Sequence, residues 1–88
     1  MEKKVYGKPV YWMSANGNIA VVYNQFGLGS RYSVYRKSFW EENGRLFMPT
    51  WEYVISFTFV GEATEYAKRI NDMPNIRYPG DGLEEYYA

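Results

Sequence analysis

Histidine and cysteine are both missing from the 88 residues. Without cysteine there are no disulfides, thiolate nucleophiles or thiolate metal ligands, and a reducing compartment is the natural setting. Lack of histidine removes the usual general base near neutral pH and the commonest nitrogen ligand for zinc or copper, so histidine triads and ordinary zinc sites are excluded. No apolar run approaches the ~18 residues of a membrane span, and Met1-Glu2-Lys3-Lys4 leads into no signal-peptide core. These absences predict a cytoplasmic protein that neither crosses nor sits on a membrane. Net charge is lacking too, ten basic residues balancing ten acidic ones. The balance is uneven along the chain: positions 1–40 carry +5 and positions 41–88 carry −5. That asymmetry fits either a basic and an acidic contact face, or two halves that attract each other within one fold.

Aromatic side chains are what the chain has in excess, 20% of all residues, ten of them tyrosine. A chain of this length makes one domain with one core, and it buries only ~60–65% of the surface it exposes when unfolded. Some rings therefore stay at the surface.

The hydrophobic pattern predicts an α+β fold, a three- to four-stranded antiparallel sheet with one helix in the C-terminal half packed on one face. Strands are expected at about 5–13, 18–24, 31–37 and 51–60. Asn16-Gly17 joins the first two as a type I′ turn, because both residues accept positive φ. Pro9 has no amide to donate, which makes the first strand an edge strand or bulges it. In the third, Tyr32 and Val34 lie on one face, with Arg31, Ser33, Tyr35 and Lys37 on the other, polar one. Positions 38–50 read as a long connection, with a short hairpin through Leu46 and Phe47. Trp51, Tyr53, Ile55, Phe57 and Phe59 alternate with other residues and predict one strongly apolar face. From Glu62 the period becomes helical, with Ala63, Tyr66, Ala67 and Ile70 on one side, giving a helix at about 62–71 packed on Ile55, Phe57 and Phe59. A tail at 73–88 follows.

Catalytic groups are scarce. Glu41-Glu42 and Glu84-Glu85 are neighbours in sequence, and in extended chain neighbouring side chains point apart, so neither forms a carboxylate pair. Gly27-Leu28-Gly29-Ser30 precedes a strand, whereas a phosphate-binding glycine loop opens a helix. No cofactor, metal or enzymatic activity is expected. Basic and aromatic residues do interleave on the first strands: Lys8, Tyr11, Trp12, Tyr23, Arg31, Tyr35, Arg36, Lys37 and Trp40. This mixture suits single-stranded nucleic acid, and it equally suits a protein interface, where Tyr, Trp and Arg dominate binding energy. The predicted binding residues are Trp12, Arg31, Tyr35, Arg36, Lys37 and Trp40, with Glu84, Glu85 and Tyr86 of the acidic-aromatic tail.

The run Trp51-Glu52-Tyr53-Val54-Ile55-Ser56-Phe57-Thr58-Phe59, entering Gly61-Glu62-Ala63-Thr64-Glu65-Tyr66-Ala67, resembles the last strand and helix of small phage and mobile-element proteins. Its Phe, Glu-Ala, Tyr-Ala pattern is similar to that of the arm-type DNA-binding domain of tyrosine integrases. Size, aromatic content and lack of catalytic residues resemble those of anti-CRISPR and related anti-defence inhibitors, which share no motif to carry over. The resemblance implies a non-enzymatic inhibitor or regulator that occupies a protein complex in a host cytoplasm. A nucleic-acid-binding module and a structural homo-oligomer, such as a homodimer, are the alternatives.

Overall fold

The structure is a computed structural model that describes residues 4–24, 29 and 31–77, at 42 and 47–49 in backbone only. Its elements are β1 (Lys4–Val5), β2 (Lys8–Met13), β3 (Ile19–Tyr23), β4 (Tyr32–Glu42), β5 (Arg45–Phe57), α1 (Val60–Arg69) and β6 (Asn75–Arg77). The class is α+β, as the pattern predicts, but among the described residues the sheet has six strands rather than three or four. Strands β1 to β5 follow one another antiparallel in chain order. Strand β6 joins parallel to β4.

One extra strand, β6, comes from the expected tail, and two-residue turns that composition hides supply the other and lengthen β4 and β5. The expected 5–13 strand folds back on itself at Tyr6 and Gly7, whose φ angles are 52° and 76°. Likewise the expected connection at 38–50 is the far half of a long β4–β5 hairpin, turning at Asn43 and Gly44 with φ of 53° and 77°. Paired positive φ is the mark of a type I′ turn, and it occurs at these two places rather than at Asn16-Gly17. There the loop is longer: the Gly17 amide donates to the Ser14 carbonyl at 3.0 Å and only Gly17 is left-handed.

Bulges decide which side chains face which side. Strand β2 gains a residue between Val10 and Trp12 opposite Val22 and Val21, two residues after Pro9. Strand β5 gains one at Val54, between the pairs Val34↔Ile55 and Tyr35↔Tyr53. An inserted residue reverses the alternation beyond it. Trp51 and Tyr53 consequently share one face, and Ile55 and Phe57 the other, where a single continuous apolar face was expected.

Each face builds its own core. On one, α1 lays Ala63 and Ala67 against Ile19, Val21 and Val34, with Trp12, Ile55, Phe57, Tyr66 and Ile70 around them. Small alanines let the helix axis approach the sheet, and the Tyr66 ring lies 5.6 Å from that of Phe57. Phe59, expected beneath the helix, instead stands at its entry, 67% exposed. On the opposite face the sheet curls into a half-barrel, bringing Val5, Ala20, Val22 and Tyr35 together with Val10, Met13 and Trp51. Covered on both faces, β3 reads as an unbroken apolar run, Ile19-Ala20-Val21-Val22, every residue fully buried.

After the helix the chain is clamped by polar groups. The Asp72 carboxylate accepts from the Ser14 hydroxyl (2.6 Å) and the Asn16 amide (2.7 Å), binding the chain beyond α1 to the β2–β3 loop. Partial burial opposes its charge, and the donors Ser14, Asn16 and Asn18 outweigh that, holding it below its ordinary 3.8. Strand β6 takes over the edge of β4 where β3 ends: β3 pairs with β4 up to Arg36, and β6 from Ser38 to Trp40. Residues 73–77 of the expected tail are thus partly a strand, and 78–88 lie outside the described residues.

Candidate functional site

The curl does not close. Strand β5 pairs only with β4 among the described elements, and β1 only with β2, which leaves a seam between the first strands and the last. One side chain spans it. The Tyr6 hydroxyl donates to the Trp51 carbonyl at 2.6 Å and accepts from the Trp51 amide at 3.2 Å, engaging both outward backbone groups of that residue. Backbone groups of an antiparallel strand alternate in direction, so Tyr53, two residues on, also turns its amide and carbonyl outward.

Beside this bridge lies an open cleft of about 520 Å³. Tyr6, Gly7, Lys8 and Pro9 form one wall, Tyr53 and Ser56 of β5 the other, and Tyr23, Asn24, Ser33 and Tyr35 the floor and end. The size falls within the ~300–1,000 Å³ of typical binding clefts. Tyr35 is 7% exposed and packs edge-on to both rim tyrosines, its ring 6.0 Å from Tyr6 and 6.0 Å from Tyr53. The rims are open, with Tyr6 63% and Tyr53 59% exposed.

A relay of hydroxyls runs along the floor. The Tyr53 hydroxyl donates to Ser56 Oγ at 2.9 Å, Ser56 and Ser33 share a hydrogen bond at 2.8 Å, and Asn24 Nδ2 donates to Ser33 Oγ. Lys8 is the one charged residue among the described lining residues, and none of these is a carboxylate. The cleft therefore offers ring faces, hydroxyls and an ammonium, a surface that recognises hydrogen-bond acceptors and negative charge. Among the described residues no group of three or more Asp or Glu is placed to hold a metal ion.

The six predicted binding residues that the structure describes lie at different places on the sheet. Tyr35 is the buried floor of the cleft rather than an exposed ring. Lys37 lies on the same face of β4, its ammonium 5.3 Å from the centre of the Trp51 ring. Trp12 packs on the opposite face, against the core beneath α1. There too Arg36 Nη1 donates to the carbonyls of Asn71 (3.0 Å) and Met73 (2.5 Å), which fixes the chain leaving the helix. Exposed Arg31 stands with Phe59 and Gly61 around a second hollow at the helix entry. Trp40, half-buried, lies far along β4, level with Arg77. Glu84, Glu85 and Tyr86 fall outside the described residues.

Tyr6 and Tyr53, the most prominent residues of the cleft, were not among the predicted ones. Gly7 and Pro9 flanking Lys8 in an otherwise β-rich stretch were the available sign of a turn there. Comparison of the chain with protein-family models, curated proteins and solved structures finds no match in any of the three. No helix among the described residues is long and apolar enough to cross a membrane.

Proposed function

We propose that this protein acts by stoichiometric binding of another protein, as an inhibitor or regulator with no chemical step of its own, and that the seam cleft is its contact site. The observation that carries this reading is Tyr6. A bulky residue at positive φ costs ~1–2 kcal/mol, and strain of that kind gathers at functional positions. Tyr6 and Asn43 are the two non-glycine residues so placed among those described, and asparagine tolerates the conformation where tyrosine does not. The strained backbone holds a largely exposed ring over a preformed cleft, opposite a second exposed ring, Tyr53. Exposed tyrosines beside a pocket are common anchors of protein interfaces, since they bring much contact area with little conformational freedom to lose.

Nucleic-acid binding has less support. Arg36 is engaged by backbone carbonyls, and Lys37 and Trp12 lie on opposite faces, so the basic and aromatic residues form no continuous track.

Size-exclusion chromatography and calorimetry with a protein captured from host lysate test the proposal. A complex of fixed stoichiometry is expected, weakened at least ~10-fold by Tyr53→Ala and unaffected by Arg31→Ala, which lies at the helix entry outside the cleft lining. Turnover of a substrate without a stable complex, or equal effects of the two substitutions, overturns it.

A further inference from the structure

Resting on that reading, we propose that the partner supplies an extended segment which adds as a strand to the outer edge of β5 and carries an acidic side chain to Lys8. Three observations converge on this occupant. Strand β5 is 13 residues long and pairs on one side only among the described residues, and an unpaired edge of that length is a template for another strand. The fold already shows what that edge accepts. Tyr6 satisfies the amide and carbonyl of Trp51 with one hydroxyl, doing there what a neighbouring strand does residue by residue. Beyond Trp51 the described residues provide no second bridge of this kind, and by strand alternation the outward groups of Tyr53, a residue of the cleft lining, come next along the edge.

The cleft sets the side chains. A strand laid on β5 presents alternate residues to the two faces of the sheet, so every second one points into the space bounded by Tyr6, Tyr23, Tyr35 and Tyr53. Rings there favour apolar or aromatic residues. Lys8, with no carboxylate among the described lining residues, favours Asp or Glu at one of those positions. The occupant is thus an acidic, alternating segment. A second copy of this chain pairing β5 with β5 would bring two such lysine-bearing clefts together with no acid among their described lining residues, which charge disfavours.

A random linear peptide library, selected on the folded protein, is the probe. Alternating apolar and acidic sequences are expected to be enriched, and their binding should slow amide exchange at Tyr53. Lys8→Glu, a surface change that leaves both cores untouched, should weaken the selected peptides at least ~10-fold and shift a fresh selection toward Lys and Arg. Tyr53→Pro removes the outward donor and should abolish binding, with circular dichroism verifying the fold. The inference is overturned if no such peptides are enriched, if those selected bind Lys8→Glu as tightly as the parent, or if they keep their affinity with a proline at each alternate position. A concentration-dependent mass lost in Tyr53→Pro would make the occupant a second copy and overturn it as well. If these tests fail while the lysate partner still binds in a Tyr53-dependent way, the strand is wrong and the binding function stands. Loss of both removes the binding function too.

Discussion

The two faces of the sheet are closed by different means. On one, α1 seats two alanines on a bed of Ile19, Val21 and Val34, and the contact is continuous. On the other, curvature brings β1 and β2 round towards β5, and a single tyrosine hydroxyl spans what remains. The curled face stops short of closure and keeps a cleft lined by four tyrosines and one lysine. The closed core and the open cleft thus lie on opposite sides of strands only one layer thick, and β3, with residues pointing alternately into each core, links them.

Adjacent residues of β3 test that division most sharply. Val21 faces the helix and Val22 the curl, and both are fully buried. Truncation to alanine costs the lost transfer energy plus a cavity term set by how far the surroundings relax. Beneath a seated helix relaxation is limited, so Val21→Ala should cost about 2–3 kcal/mol in urea unfolding. Val22→Ala, beside an open seam, should cost about 1–2 kcal/mol. Equal or reversed costs would show that the curled face packs as rigidly as the other.

A smaller effect probes the seam itself. Tyr6→Phe keeps the ring and removes the hydroxyl that bonds both backbone groups of Trp51. The expected loss is about 0.5–1.5 kcal/mol, with faster amide exchange at Trp51 and unchanged exchange in α1. If Trp51 exchanges at the parent rate, the bridge does not hold the seam.

How much of this was readable beforehand follows from where each signal resides. The helix was legible because Ala63, Tyr66, Ala67 and Ile70 repeat at a helical period. The long strands were legible through their β-branched and aromatic runs. Three things were not. Tyr6 itself does not signal a turn, since tyrosine rarely takes positive φ, and the partner of its hydroxyl, Trp51, is 45 residues away in sequence. The bulge at Val54 leaves the alternation of 51–60 outwardly intact while reversing which face each residue serves. Finally, a cation's role depends on its neighbours. Arg36 and Lys37 look alike in sequence, yet one binds carbonyls near the helix end and the other rests over Trp51 on the far face. Nothing in the local pattern separates them.

The smallest expected effect concerns the clamp on β6, and it sharpens the contrast because this clamp, unlike either core, is electrostatic. Glu52 of β5 accepts from Arg77 Nε at 2.8 Å and Nη2 at 2.7 Å, and from Asn75 Nδ2 at 3.2 Å, reaching past β4 to hold β6. The Arg77 hydrogen bonds are the main cause of a pKa lowered from 4.5 to about 2, desolvation opposing and Ser38 and Asn75 assisting. A carboxylate held low in the folded state stabilises it fully above the unfolded value, and that stabilisation is lost as pH falls through the folded one. Unfolding midpoints should therefore drop between about pH 4.5 and 2. Solvent reaches 30% of the Glu52 side chain and 45% of that of Arg77, and such screening limits the pair to about 1 kcal/mol or less at neutral pH. Glu52→Gln should lower the urea midpoint slightly at pH 7 and flatten the fall below pH 4.5, with Asp72, also held low, supplying the slope that remains. Parallel pH curves for parent and variant would mean that β6 is held by its backbone pairing to β4 and that the charge pair adds nothing.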